Sequence, residues 1–287
     1  MTAAPQVCAI TGTTGYVGSR IAQAVAQRAQ VVALGRNPEN ESGIAWTLEG
    51  SGDIAPLLSK HRVCTLVHAA WDFRAVSQSE IWRINVEGSM RLLRMAQQAG
   101  VRRIVFLSTI SAFAGARSLY GRSKLEVEAA AARLGGIILR PGLVFGESSG
   151  GVFGSMRRQV RSSRLIPLIG SGKAPQFLIP EELLGALVAD AVMGRFDSAG
   201  GRPLTLANPT PYPFRELVHS IARAENRNVT LIPVPWPLLY AGLRLGEKLG
   251  RRLPFRSDSV VSFIYQDPAP DFSALQQFGI AVPAYAG

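Results

Sequence analysis

The chain has 287 residues, 47% of them hydrophobic and 18% charged. That is enough apolar material for one large α/β domain, or a larger and a smaller one, and too much for global disorder. Its apolar runs are cut by charges, glycine or proline, and none reaches the roughly 20 residues of a membrane-spanning helix. A net charge of +11 raises nucleic acid as a partner. The basic residues, however, lie in short clusters at 157–164 and 244–252 without interleaved aromatics, so no nucleic-acid surface is expected. Solvated helix faces are the first reading of these clusters, and a site for a diphosphate-bearing small substrate the second.

Q-V-C-A-I-T at 6–11 reads as a buried strand, followed by a glycine-rich turn and a helix from about Tyr16 to Arg28. Strands are expected at 31–34, 44–48 and 64–70, then a long helix over about 78–99, a strand at 103–108, a helix carrying Tyr120 and a strand at 136–140. Near-continuous apolar strands alternating with helices predict an α/β fold: a doubly wound parallel sheet with ligands beyond the carboxyl ends of its strands. After R-P-G-L-V-F-G at 140–146 the strands shorten and prolines become denser. The expected division is a dinucleotide-binding domain over 1–146 and a smaller substrate lobe over 147–287, partly interleaved with the sheet. Cys8 and Cys64 lie in strand-like runs far from C-x-x-C spacing, and the three histidines show no ligand spacing, so no metal is expected. The start, M-T-A-A-P-Q, has no basic segment before its first strand, and a cytoplasmic protein with free thiols is expected.

T-G-T-T-G-Y-V-G at 11–18 joins the first strand to the first helix. Gly12, Gly15 and Gly18 serve a tight turn, close backbone approach to a pyrophosphate and helix-on-strand packing. Thr14, Tyr16 and Val17 complete the turn, and the helix N-terminus faces the phosphates. The second strand ends A-L-G-R-N-P-E, with Arg36 where an acid would bind the ribose diol of NAD. A guanidinium suits a 2′-phosphate, so NADP(H) is favoured over NAD(H), with a solvated loop arginine as the other reading. Glu39 and Glu41 lie further along that loop. Asp53 is a candidate for the adenine edge and equally for a helix cap.

Tyr120 stands four residues before Lys124, so the two share a helix face. An ammonium beside a phenol favours the phenolate, one way to make a proton-transfer group for neutral pH. Thr109, in L-S-T-I-S after a central strand, points a hydroxyl at the same crevice, with Ser108 and Ser111 as competitors. The expected catalytic set is Thr109 on the substrate oxygen, Tyr120 moving the proton and Lys124 lowering the tyrosine pKa while holding the nicotinamide ribose. Asn85 is a candidate anchor for the lysine through water, and equally a helix-interior residue with a structural bond.

With these residues in order, the chain resembles the extended short-chain dehydrogenase/reductase family, in its branch of NAD(P)-dependent nucleotide-sugar epimerases, dehydratases and ketoreductases. The resemblance rests on T-G-T-T-G-Y-V-G, G-D at 52–53, V-H-A-A at 67–70, N-V-E-G at 85–88, S-T-I-S at 108–111, Y-G-R-S-K at 120–124 and R-P-G-L-V-F-G, about half the chain. It implies a Rossmann-type sheet, with Thr109, Tyr120 and Lys124 in the roles above. It also places His68, Ala69 and Ala70 along the ribose and Arg140, Pro141 and Gly142 near the nicotinamide. Read without the resemblance, His68 is a strand-end histidine with a satisfied bond. A nucleotide-linked sugar is the implied substrate and a homodimer the implied assembly.

The departures bear on function. Thr109 and Tyr120 are only 11 positions apart, so a loop common in sugar-nucleotide epimerases is trimmed, which opens the site to a flatter carbonyl compound. Pro180 and Glu181 replace the usual residues in F-L-I-P-E-E-L-L at 177–184, and no Glu–Lys pair accompanies Thr109 as dehydration would need. Epimerase and ketoreductase stay equally open, and a non-catalytic dinucleotide-binding or redox-sensing subunit is the alternative. The segment 235–252, apolar with a basic end, reads as a helix packed on the substrate lobe, with a membrane or lipid-linked sugar as the sharper alternative.

Overall fold

The computed structural model describes residues 6–37, 43–147, 150–250 and 255–287; Glu39 and Glu41 lie outside them. The first half follows the expected alternation. β1 (Val7–Thr11) leads to α1 (Tyr16–Ala26), β2 (Gln30–Gly35), β3 (Ile44–Ala45), α2 (Ala55–Lys60) and β4 (Thr65–His68). α3 (Gln78–Ile81) runs through a π-helical turn at Trp82–Val86 into α4 (Glu87–Gln98). β5 (Arg103–Leu107), α5 (Leu119–Arg133), β6 (Ile137–Pro141) and β7 (Leu143–Phe145) follow.

The second half opens with α6 (Gly151–Ser162), β8 (Leu165–Ile169), β9 (Pro175–Gln176), β10 (Leu178–Pro180) and α7 (Glu181–Val192). It continues with β11 (Pro203–Leu206), β12 (Tyr212–Pro213), α8 (Phe214–Ala224) and β13 (Thr230–Val234). It closes with α9 (Trp236–Lys248), α10 (Ser257–Ile264) and α11 (Ser273–Gln277).

Seven strands form one parallel sheet in the order β11-β6-β5-β4-β1-β2-β3. Order reverses beside β1, which makes the crevice beyond β1 and β4 the place for a ligand. Every residue of β1 is buried, as a central parallel strand requires. One apolar core lies under α2 to α5, the other under α1, α7 and α11. The second half therefore supplies the outer strand β11 and the covering helix α7. The smaller lobe is the rest: the parallel pair β8–β13 and helices α6 and α8 around a third core that includes Phe153, Met156, Leu168 and Leu217.

Two expected strands are shorter than their apolar runs. β4 stops at His68 because the N–H groups of Ala69 and Ala70 both donate to Thr11 Oγ1, each at 3.0 Å, in place of a strand ladder. β3 pairs with β2 through Ile44 and Ala45 alone. The long helix keeps its expected span but carries the π turn, which places Asn85 inward.

Candidate active site

The glycine turn is built as its spacing requires. Gly12 has φ of +77°, and the Gly15 N–H closes the turn on its carbonyl at 2.9 Å. A Cβ at Gly18 would sit 2.0 Å from that same carbonyl oxygen, so only glycine lets α1 pack there. α1 has no side-chain cap at its N-terminus. Its first N–H groups and a cradle that any Cβ would fill suit the pyrophosphate of a dinucleotide. Gly12, Thr14, Gly15, Tyr16, Val17 and Gly18 all line a cleft of about 2000 Å³, together with Ala69, Ala70, Pro141 and Gly142. Arg36 lies on the same wall, at the end of β2.

One expected contact is corrected, and two residues take their structural reading. His68 is fully buried on the opposite side of β4, its ring nitrogens bonded to Thr11 Oγ1 at 2.8 Å and Ser89 Oγ at 2.7 Å. Burial holds its pKa down to about 3, with the Lys124 charge adding to the effect, so it is a neutral structural histidine. Ala69 and Ala70 lie beyond the end of β4 on the cleft wall, whereas His68 is the last residue of the strand and its side chain is buried. Asp53 stands outside the cleft wall, where its carboxylate accepts the Ala55 N–H at 2.9 Å in a turn leading into α2. Asn85 makes a structural bond, the other of its two readings. Its amide clamps the backbone of Asp72, accepting the N–H at 2.7 Å and donating to the carbonyl at 2.9 Å.

Thr109, Tyr120 and Lys124 all line the cleft, with the Thr109 side chain close enough to Tyr120 to act on its titration. α5 buries Gly121, Lys124, Val127, Glu128 and Ala131, a helical stripe that turns Lys124 inward beneath the half-buried Tyr120. A Cβ at Gly121 would meet the Ser111 carbonyl oxygen at 2.3 Å, so glycine lets the helix approach the loop after β5. Ser108 is removed from competition, because its hydroxyl is bonded to the Glu128 carboxylate. Glu128 is in turn paired bidentately with Arg140, at 2.8 and 2.5 Å, which turns Arg140 away from the cleft. Ser111 keeps its place on the wall, its N–H donating to Thr109 Oγ1 at 3.2 Å.

The electrostatics differ from the simple lysine–tyrosine expectation. Lys124 Nζ donates to the Leu107 carbonyl at 2.7 Å and lies 4.0 Å from the Trp71 ring centre, but 6.0 Å from that of Tyr120. Burial lowers its pKa to about 7 against the opposing pull of Glu128. Burial likewise pushes Tyr120 up to about 12, with the Thr109 side chain pulling it back. Desolvation is the largest influence on each group, so Tyr120 holds its proton at neutral pH.

Several neighbours were not legible in the sequence. Asp258, in the first turn of α10, accepts the Leu119 N–H at 2.7 Å and the Tyr120 N–H at 2.9 Å. Trp71 and Phe73 flank the Tyr120 ring at 6.1 and 5.7 Å between centres. Asp72 is held below the usual carboxylate range mainly by hydrogen bonds from Arg74, with Arg36 adding to the field. These residues come from loops, or from 138 positions along the chain, with no motif to mark them.

Among the described residues no helix is long and apolar enough to cross a membrane, and no acidic, histidine or cysteine cluster suits a metal. Arg157 and Arg161, in the first basic cluster, are both paired with Glu225.

Comparison with known proteins bears on the family and the fold. The chain is 32% identical over 165 residues to Protein fmp-52, mitochondrial, of Neurospora crassa, covering 51% of this chain and 68% of that one. It is 27% identical over 191 residues to dTDP-6-deoxy-L-talose 4-dehydrogenase (NAD(P)(+)) of Kitasatospora kifunensis, covering 56% and 60%. It is 26% identical over 247 residues to ceramide reductase of Caulobacter vibrioides, covering 82% and 76%. In fold it is similar to dTDP-4-dehydrorhamnose reductase of Bacillus anthracis in complex with NADP, at 14% identity and a TM-score of 0.68 over 91% of this chain and 99% of that one. The UDP-glucose 4-epimerase of Thermotoga maritima superposes with a TM-score of 0.65 at 17% identity, over 80% and 86%. One family description matches residues 8–179, more than half the chain and a span holding the glycine turn, Thr109, Tyr120 and Lys124; the chain belongs to the NAD dependent epimerase/dehydratase family.

Proposed function

We propose that the protein is an NADP(H)-preferring oxidoreductase that interconverts a carbonyl and an alcohol, with Tyr120 as proton donor and acceptor. The observation that carries this is the placement of Thr109, Tyr120 and Lys124 on the wall of the same cleft as the glycine turn. A nicotinamide bound beyond β5 would supply or accept the hydride. The protein's part is the proton. Thr109 aligns the substrate oxygen, Tyr120 O–H delivers its proton as negative charge develops there, and Lys124, hung from the Leu107 carbonyl, stands behind it to restore charge balance. A tyrosine that stays protonated at neutral pH suits the reducing direction.

Arg36 at the end of β2 supports NADP(H), and a dissociable NADP(H) supports net oxidation or reduction over internal epimerisation. Two relatives are named for a net redox reaction, the deoxytalose dehydrogenase and the ceramide reductase. Presence of all three catalytic side chains favours an enzyme over a binding subunit. The test is to denature the purified protein, identify released dinucleotide by mass spectrometry, and titrate NADPH and NADH by fluorescence. No retained cofactor and tighter NADPH binding is the expected result. Retained NAD(H) would overturn it and make the protein a self-recycling epimerase.

A further inference from the structure

We propose that the substrate lobe takes an uncharged carbonyl compound bearing an apolar alkyl or aryl group, and not a sugar linked to a nucleoside diphosphate. This rests on the reading of Thr109 and Tyr120 as the groups that face the substrate oxygen, and it names what that oxygen is attached to.

A nucleoside diphosphate brings two adjacent negative charges, and a protein that binds one sets arginine, lysine or clustered N–H donors against them. The wall that the lobe presents to the cleft is built otherwise. Among its described residues it carries one cation, Arg256, and two carboxylates, Asp258 and Asp267, with no cluster of positive charge. Arg256 donates through Nη1 to the Phe73 carbonyl at 3.0 Å, while its buried Nε has no hydrogen-bond partner among the described residues, and Asp258 on α10 is fixed by the α5 backbone. The basic cluster that might have served is turned away. α6 presents Gln159 and Val160 to the cleft, while Arg157 and Arg161 reach the other way to Glu225, at 2.8 and 2.5 Å.

Much of the remaining wall is apolar, beside Gln159, Gln176, Ser259, Ser262 and Gln266. Phe177, Phe214 and Phe263 stand on it, the last two edge to face with centres 4.8 Å apart. α9 adds Leu239 and Leu243, one turn apart on the same helix face. Beside the reactive hydroxyl, Phe73 is 59% exposed although its ring lies 5.7 Å from that of Tyr120. An exposed aromatic in that position gains by covering an apolar ligand at about 25 cal/mol per Å². A diphosphate would lose its hydration against these rings, with Arg256 as the one cation on the lobe's described wall.

The experiment uses the full chain saturated with NADP+ and the uncharged fluorescent probe N-phenyl-1-naphthylamine, displaced by 2-alkanones of roughly five to eleven carbons and separately by UDP and UDP-glucose. Expected is a displacement midpoint that falls about two- to fourfold per added methylene, with UDP and UDP-glucose inert at about 1 mM. Leu243→Arg is expected to weaken the longest ketone at least about tenfold while leaving NADPH binding unchanged, since α9 has no buried residue whose loss would unfold the lobe. Displacement by UDP-glucose at lower concentration than the longest ketone, or no dependence on chain length, overturns the proposal. NADPH oxidation with the same ketones is followed in parallel. Ketones that bind with the expected length dependence but are not reduced would sink the redox reading and leave the apolar site standing.

Discussion

The carboxylate of Asp258 holds the backbone N–H groups of both Leu119 and Tyr120, so the first turn of the helix that carries the proton donor is capped by the other half of the chain. An acid at a helix N-terminus satisfies orphan donors and meets the positive end of the dipole. Here it also ties α10, on the cleft wall, to the position of the Tyr120 ring. Ser257, its neighbour, is bonded through N–H and hydroxyl to Glu247 of α9, at 2.8 and 2.7 Å, which extends the tie to the helix bearing Leu239 and Leu243.

Asp258→Ala is therefore expected to lower kcat about tenfold with NADPH affinity unchanged. It should lower the melting temperature by about 2–4 °C, the equivalent of about 1 kcal/mol for a lost cap. Asp258→Glu, which keeps the charge, should restore part of kcat. Differential scanning fluorimetry with steady-state kinetics reads both. A fall in stability with no change in kcat would leave Asp258 a structural cap alone.

Tyr120→Phe removes the donated proton and keeps the ring between Trp71 and Phe73. Carbonyl reduction should fall about 10²- to 10⁴-fold while NADPH binding stays within about twofold. Thr109→Val should cost less, about 10- to 100-fold, because it removes alignment and one hydrogen bond but not the proton. Equal residual activity in both variants would take the proton-transfer role from Tyr120.

Arg36→Asp exchanges a partner for the 2′-phosphate for one that suits a ribose diol. The ratio of NADPH to NADH affinity should drop at least about tenfold, or about 1.4 kcal/mol. Fluorescence titration of both nucleotides against wild type and variant measures it, and an unchanged ratio would return Arg36 to a solvated loop residue.

Buried His68 makes stability depend on acid. Its folded pKa of about 3 lies below the ordinary 6.5, so between those values the unfolded chain binds the extra proton. Stability then rises with pH across that window and is lost as pH falls below 6.5, by up to about 1.4 kcal/mol per pH unit. Lys124 acts in the same sense higher up: with its pKa at about 7 against 10.5, stability should rise as pH goes from 7 towards 10.5. His68→Gln should flatten the acid limb in urea-unfolding curves taken at steps of pH. A limb as steep as that of wild type would assign the acid sensitivity to other groups.

Glu128 neutralises Arg140 and holds Ser108 inside the protein. Glu128→Ala leaves the Arg140 charge and the hydroxyl without their partner and should cost about 3–5 kcal/mol, read as a shift in the urea midpoint. Glu128→Ala together with Arg140→Met should recover much of that loss. A small single-variant effect would mean that water reaches Arg140.

The sequence by itself determined the sheet, the glycine turn and the meeting of Thr109, Tyr120 and Lys124. Each is encoded locally: β1 is apolar throughout because both its faces are covered, Gly12 and Gly18 are required by a backbone too close for any Cβ, and Tyr120 and Lys124 share a face through helical spacing. Tertiary structure decided what those groups are next to. His68 faces the core and not the ribose because of its register in β4, and Asn85 clamps Asp72 because a π turn rotates it inward. Burial reversed the expected effect on the tyrosine: desolvation of Lys124 and Tyr120 depends on how Trp71, Phe106 and Leu107 close around them, and a motif carries no record of that. Asp258 and the apolar wall belong to the same class. They reach the site across more than a hundred residues of chain, and only the folded arrangement brings their charge and surface to bear on Tyr120.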